Sequence, residues 1–130
     1  PNQEPDRITQ LFVDHFPTLA PDSVKVEVRP HHGGQPALTP INSIGFRAAS
    51  DAMKDAFGKE PIPTREGGSI PIVALFGEVL GANTVLMGFG LDSDAIHSPN
   101  EHYGVYNYFQ GIATIPRFHQ HFARLMQEEG

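Results

Sequence analysis

The chain contains no cysteine among its 130 residues. This absence excludes a disulfide framework, thiolate metal ligands and a cysteine nucleophile. Basic residues are also scarce, because 9 lysines and arginines stand against 15 acidic residues and the formal net charge is −6. Nucleic-acid phosphates are bound by a basic face, and no cluster of lysine and arginine occurs anywhere. The composition therefore argues against a nucleic-acid partner.

Long hydrophobic runs are missing as well. The most apolar stretch, residues 70–89, is interrupted by Glu78, Gly81 and Asn83, so it is not a membrane span and we expect no membrane partner. The chain begins at Pro1 with neither an initiator methionine nor a signal peptide, and we expect a piece trimmed from a longer protein. With 39% hydrophobic residues the chain reads as one soluble domain, and we expect a cytoplasmic location.

Hydrophobic spacing predicts an α/β chain of six elements. In order, these are a helix over 6–16, a strand over 23–29, a helix over 41–57, a helix from Ser69 to Leu80, a strand over 84–89 and a helix over 103–126. Gly58 and Gly81 are the expected C-terminal stops of the second and third helices. The first strand alternates valines with charged residues, whereas the second is continuously apolar and reads as buried.

The last helix is predicted to be amphipathic, with a kink near Pro116. His119 and His121 are expected to be solvated near its exposed end. Its predicted apolar side consists of Tyr106, Phe109, Ile112, Phe118, Phe122 and Leu125.

The stretch Gly67-Gly68-Ser69-Ile70-Pro71 has the signature of a helix start, with Ser69 as N-cap and Pro71 in the first turn. Two glycines leave the backbone uncovered next to the positive end of the helix dipole. Such a place suits a carboxylate or the oxyanion of a carbonyl under attack. An ordinary loop-to-helix junction explains the same residues, and both readings stay open.

Two histidine-bearing loops are further candidates. His31 and His32 precede Gly33 and Gly34, and adjacent histidines point in different directions, so one of them at most serves a given site. His97 follows the second predicted strand, where open α/β sheets place ligands, with Asp92 and Asp94 nearby. It is either a metal ligand or a surface histidine of a polar loop.

A resemblance narrows these choices. The stretch TREGGSIP at residues 64–71 and the stretch IHSPNE at residues 96–101 resemble the C-terminal part of the dizinc peptidases of metallopeptidase family twenty, which include carnosine dipeptidase, aminoacylase and succinyl-diaminopimelate desuccinylase. The Gly-Gly-Ser-Ile-Pro form looks most like the dipeptidase branch. The resemblance implies that residues 1–38 are the second half of a ferredoxin-like lid domain. Residues 39–130 would then be the C-terminal α/β part of the catalytic domain.

The resemblance also implies roles for individual residues. His97 matches the C-terminal zinc ligand of the family. The residues implied to contact substrate are Ser69, Gly68, Gly67, His32 and Arg65, and those implied to support or orient the site are Asn100, Glu101 and Glu66. No residue of the chain matches a catalytic acid or base.

The chain departs from the family in lacking the remaining metal ligands and the glutamate that serves as general base. We therefore expect a parent protein that cleaves dipeptides or N-acyl amino acids by metal-activated water at two zinc ions. The isolated chain is expected to be inactive, to bind zinc weakly or not at all, and to form a homodimer or self-associate. The alternative is a stand-alone, non-catalytic anion-binding or dimerisation module.

Overall fold

The fold is described from a computed structural model, which covers residues 2–31, 33–65 and 70–129. Four α-helices run through these residues: α1 Pro5–His15, α2 Ile44–Phe57, α3 Ile72–Leu80 and α4 Val105–Glu129. Single 3₁₀ turns cover Phe16–Leu19 and Asp92–Asp94. No helix among the described residues combines the length and the apolar character required to cross a membrane.

The described residues divide into two compact units. One unit contains α1, the loop that follows it and α3, and the other contains α2, residues 83–102 and α4. The predicted division into residues 1–38 and 39–130 stays a prediction. In the structure the segment carrying α3, up to Ala82, belongs to the same unit as α1.

The core of the second unit is the seam between α2 and α4. Ala48, Ala49 and Ala52 are buried on α2, at the spacing of one helix face. The buried positions of α4 are Gly111, Thr114 and Leu125. A Cβ at Gly111 would lie 2.9 Å from the ring of Phe89, so only glycine allows this approach. The seam therefore depends on small side chains.

The predicted apolar side of α4 is wrong for most of its length. Tyr106 and Phe109 are each 62% exposed and Ile112 is 53% exposed, whereas Leu125 is buried as expected. At its buried positions α4 carries Gly111, Thr114 and Leu125, and Gly111 lies against the ring of Phe89. Close packing thus buries a face of α4 that includes two small residues, and the hydrophobic pattern alone does not identify that face.

The helix ends follow the sequence signals closely. Ser43 accepts a hydrogen bond from the backbone N–H of Phe46 at 3.3 Å and caps α2. Gly58 closes α2 with a φ of 72°, and Gly81 closes α3 with a φ of 61°, both in the left-handed region. The predicted C-terminal stops are confirmed.

Helix α3 begins at Ile72 with Pro71 as its N-cap residue. The predicted cap, Ser69, lies outside the described residues. Nearly all of α3 is exposed: Val73 and Ala74 are half-buried, while Val79 and Leu80 are 70% and 67% exposed.

Helix α4 is continuous across Pro116. A proline inside a helix removes one backbone donor. The side chain of Arg117 donates to the carbonyl of Ala113 at 2.6 Å and so adds a bond to this part of the ladder.

The two predicted strands are wrong for the described residues, because neither residues 23–29 nor residues 84–89 form a strand there. A strand requires a backbone ladder with a neighbour. At the two ends of residues 84–89, backbone carbonyls accept hydrogen bonds from side chains instead. The Thr39 hydroxyl donates to the carbonyl of Thr84, and the Asn107 amide donates to the carbonyl of Phe89. Residues 85–89 still alternate between half-buried and exposed side chains, as a strand would. Val85, Met87 and Phe89 are half-buried, and the residues between them are exposed. The α/β class and the lid detail are thus not confirmed by secondary structure.

Candidate functional site

The loop that carries His97 runs from Gly90 to His102 and is built from short turns. After the 3₁₀ turn, Ser98 N–H donates to the carbonyl of Ala95 at 2.9 Å, and Glu101 N–H donates to the carbonyl of Ser98 at 3.2 Å. Among the residues that the structure describes, the non-glycine residues with positive φ all fall in this loop: Ala95 at 54°, His97 at 61° and Asn100 at 64°. Alanine and histidine adopt this conformation only at a cost of about 1–3 kcal/mol each. The loop therefore holds His97 in a backbone state that an unconstrained chain avoids.

Asp94 is the residue that joins the two ends of this loop. It is 3% exposed, and its Oδ2 accepts from the backbone N–H of Leu91 at 2.9 Å. The N–H of Asp94 donates in return to the carbonyl of Leu91 at 2.9 Å, and its own carbonyl accepts from the N–H of His102 at 3.0 Å. Its Oδ1 lies 4.0 Å from the Nε2 of His102. One buried residue thus fixes both the start and the end of the loop.

The loop is also anchored to α4. The side-chain amide of Asn107 donates to the carbonyl of Phe89 at 2.7 Å, directly before the loop begins. The backbone at Gly90 lies close to the Asp94 carboxylate, since a Cβ there would be in van der Waals contact with Oδ2 at 3.4 Å. Tyr103, directly after the loop, meets Tyr108 edge to face with ring centroids 6.5 Å apart. The loop is therefore supported by the first turn of α4.

The predicted site residues of this loop are accessible. His97, Asn100 and Glu101 are all exposed. The carbonyl of Asn100 lies 3.2 Å from the Nδ1 of His102, so the backbone of Asn100 takes part in the turn. The predicted role of Asn100 and Glu101 in orienting His97 stays a prediction. Arg65 is exposed too, at the end of the second described range.

Five predicted site residues, Ser69, Gly68, Gly67, Glu66 and His32, lie outside the described residues. The residues that flank them are described. A Cβ at Gly34 would lie 2.8 Å from the Cβ of Pro71, and a Cβ at Gly33 would lie 2.9 Å from Pro5. The structure therefore brings the loop after His32 against the residues that lead into α3.

The described residues do not bring together a complete donor set for a metal. Across residues 2–31, 33–65 and 70–129, no group of three histidine, aspartate or glutamate side chains is arranged to hold an ion. The imidazole of His97 suits a zinc ligand, because it is exposed and carries a nitrogen donor. The Asp94 carboxylate is already committed to the Leu91 N–H. The described residues thus offer one ligand and do not complete a zinc site.

An apolar groove of about 210 Å³ lies elsewhere in the second unit. It is lined by α2, by residues 61–64 and by residues 85–88, including Met53, Ile62 and Leu86. None of its lining residues is ionisable, so it offers no acid or base for chemistry.

Sequence reasoning missed the burial of Asp94 and a charged cluster between α2 and α4. His121 was expected to be solvated, yet its Nε2 lies 2.7 Å from Asp55 and its Nδ1 lies 3.8 Å from Asp51. Arg124 joins the cluster 3.2 Å from Asp51. The signal was the spacing of Asp51 and Asp55, which share one helix face. Their partners on α4 are visible only once the two helices are paired.

Known proteins match most of the chain in both sequence and structure. Residues 2–121 match the family described as Peptidase family M20/M25/M40. The Cys-Gly metallodipeptidase DUG1 of Candida albicans is 35% identical over 120 residues, which cover 92% of this chain and 24% of that enzyme. Human Beta-Ala-His dipeptidase is 33% identical over 119 residues, covering 92% of this chain and 23% of that protein.

A solved structure agrees with the sequence relatives. The dipeptidase Dug1p of Saccharomyces cerevisiae superimposes with a TM-score of 0.79 at 29% identity, covering 95% of this chain and 26% of that one. The chain spans about a quarter of the length of these relatives.

Proposed function

Because the chain belongs to peptidase family M20/M25/M40, we propose that it is the C-terminal part of a zinc-dependent dipeptidase or acyl-amino-acid hydrolase. The match over residues 2–121, which includes both the Gly-Gly-Ser stretch and the His97 loop, is the observation that carries the proposal. Relatives named as metallodipeptidases and as a Beta-Ala-His dipeptidase favour the dipeptidase form. A cytoplasmic location stays a prediction from the sequence.

In this proposal His97 supplies one metal ligand through a neutral imidazole nitrogen. Bound zinc supplies the Lewis acidity that activates water for attack on a carbonyl. The chain's own contribution is to hold an exposed imidazole on a constrained loop, which lowers the entropy lost when the ligand is fixed in place. Asn100 and Glu101 would support that loop, and Glu66 would support the substrate-binding stretch that follows it in the sequence.

The substrate side of the proposal rests on the residues that the family resemblance assigns to substrate contact. Ser69, Gly68 and Gly67, followed by α3, would present backbone N–H groups and a hydroxyl to the substrate carboxylate. His32 would approach from the loop whose Gly34 lies against Pro71, and Arg65 would supply a positive charge for the substrate carboxylate. Residues 1–38 are proposed to be the lid part, and residues 39–130 the catalytic part.

The 130-residue chain by itself is proposed to be inactive, since no second ligand set or general base accompanies His97 in its sequence. We expect the purified chain to hydrolyse neither Cys-Gly nor β-Ala-His, with or without added zinc. Zinc-dependent hydrolysis that is lost in His97→Ala would show instead that the chain is a complete enzyme. Tight binding of a simple carboxylate without any hydrolysis, in the chain or in a complemented enzyme, would support the non-catalytic anion-binding module.

A chimera tests the role of His97 directly. The chain replaces the matching quarter of the Saccharomyces cerevisiae Cys-Gly metallodipeptidase DUG1, to which it is 32% identical over 128 residues. We expect zinc-dependent Cys-Gly hydrolysis that falls by about 10²-fold or more in His97→Ala, in line with loss of a metal ligand or its support. His119→Ala, which removes an exposed histidine of α4, is the matched control and keeps the activity. A His97→Ala chimera as active as the control would refute the proposed ligand.

A further inference from the structure

We propose that Asp94 is a positioning residue for His97: its buried carboxylate anchors the start of the loop, its backbone carbonyl closes the far end, and together these bonds hold His97 in its left-handed backbone state. This inference rests on the proposed function for the meaning of His97, but its structural content does not depend on any metal. The His97 loop is taken here as residues 90–102.

The Asp94 carboxylate points toward the start of the loop. Asp94 lies three residues before His97, and its side chain turns inward to the N–H of Leu91. A carboxylate that accepts a backbone N–H in a buried place makes a stronger bond than a neutral acceptor does. At 3% exposure the Asp94 side chain has little contact with water, and the Leu91 N–H offsets the cost of burying its polar group. The side chain is thus a fixed point of the loop.

The C-terminal end of the loop is held by the backbone of Asp94. The carbonyl of Asp94 accepts from the N–H of His102 at 3.0 Å, so the residues between 94 and 102 form a closed excursion. His97 and Asn100 both lie inside it with positive φ, and Ala95 stands at its start. Three such residues in six positions are tolerated only where surrounding bonds over-determine the backbone. The bonds of Asp94 supply that constraint.

Two substitutions of Asp94 change its carboxylate in different ways. In Asp94→Ala the N–H of Leu91 is left without its acceptor in a partly buried place, which is unfavourable. In Asp94→Asn the amide oxygen occupies the same position and accepts the same bond without a charge. The two variants therefore separate the loss of the hydrogen bond from the loss of the charge.

The test is an NMR experiment on the full 130-residue chain without zinc. The readouts are amide hydrogen exchange at Leu91 and His102, and the intraresidue amide-to-Hα NOE of His97, which is strong at positive φ. In Asp94→Ala we expect exchange at Leu91 to accelerate roughly tenfold or more and the His97 NOE to weaken. In Asp94→Asn both readouts stay close to those of the parent chain.

Two controls distinguish local loosening from general destabilisation. Asp92→Ala removes an exposed carboxylate from the same 3₁₀ turn and should change neither readout. Exchange at Ala52 and Thr114, in the seam between α2 and α4, should stay unchanged in every variant. An Asp94→Ala chain with unaltered Leu91 exchange and His97 NOE overturns the proposal. An unprotected Leu91 amide in the unmodified chain overturns it as well, even where the variant fails to fold.

The same variants in the chimera separate this inference from the proposed function. With His97 as a ligand, Asp94→Ala weakens zinc binding by roughly 10–100-fold and Asp94→Asn restores it. A loop that loosens as expected while zinc affinity is unchanged would confirm the positioning of His97 and refute its role as a ligand. A rigid loop with weakened zinc binding would refute the positioning role.

Discussion

At the scale of single residues, the site is defined by backbone conformation more than by side-chain contacts. Ala95, His97 and Asn100 adopt positive φ, a region in which asparagine and histidine are enriched and alanine is not. Alanine there would relax if the loop were cut free. The arrangement shows that the position of the imidazole is maintained against a local preference of the chain.

Substitutions at Ala95 should reveal this strain. We expect Ala95→Val to be less stable than Ala95→Gly by about 1–2 kcal/mol, because a β-branched side chain is disfavoured in the left-handed region. Urea denaturation followed by tyrosine fluorescence measures the difference, since Tyr103 lies directly after the loop.

Ala123, an exposed residue of α4 with helical backbone, provides the matched position for this comparison. At position 123 the order of stability should reverse: Ala123→Val should be more stable than Ala123→Gly, because glycine is the poorer helix former. The same order of stability at both positions would contradict a strained Ala95.

At the scale of elements, the helices were predictable from sequence and their partners were not. The glycines after α2 and α3 are local signals, and the structure confirms the helices that they end. Burial of α4 is a non-local property, because its buried positions are set by packing against other segments, such as Phe89 at Gly111. A hydrophobic pattern therefore predicted the existence of α4 and the wrong buried side.

The predicted strands failed for a related reason. Period-two burial is encoded locally, and it persists in residues 84–89. Ladder hydrogen bonds require a second segment that the local pattern does not supply. The residues of the candidate site also divide into those that local sequence reveals and those that only the fold reveals. The sequence singled out His97, whereas Asp94, whose importance comes from bonds to Leu91 and His102, could be recognised only in three dimensions.

The seam between α2 and α4 gives a prediction at this scale. Gly111→Ala adds a methyl group where a Cβ would lie 2.9 Å from the Phe89 ring, and Phe89 is itself stacked on Phe57. The gain in helix propensity is about 1 kcal/mol, and overpacking costs about 1–3 kcal/mol, so we expect net destabilisation. Thermal unfolding monitored by far-UV circular dichroism measures it.

Gly77→Ala in α3 is the matched control, since a Cβ there would meet only the Ala82 carbonyl at 3.9 Å. Exchange of the α3 amides should slow or stay the same in this variant. A Gly111→Ala chain more stable than the parent would show that the ring of Phe89 moves aside freely.

At the scale of the whole molecule, much apolar surface is uncovered. The accessible surface is 10346 Å² for 14.2 kDa. Two separate compact units of this combined mass would expose only about 8,000 Å². The excess includes Val79 and Leu80 of α3 and Tyr106 and Phe109 of α4. Exposed apolar area of this extent is typical of surfaces that other protein covers.

We therefore expect the isolated chain to self-associate, as the sequence predicted. Light scattering coupled to size-exclusion chromatography should give a mass above 14.2 kDa that increases with loading concentration. Because the net charge of −6 opposes association, added salt should strengthen it. A monomer at every concentration and salt level would contradict this expectation.

The uncovered helices also determine how the stability of the chain varies with temperature. The heat-capacity increase on unfolding comes mainly from apolar surface newly exposed to water. A fully packed chain of 130 residues would show about 1.6–2.0 kcal/mol/K. In a monomer of this chain much of that surface, on α3 and on one side of α4, is hydrated before unfolding begins. Its heat-capacity change should be smaller and its stability curve flatter, with a broad calorimetric transition and little tendency to cold denaturation.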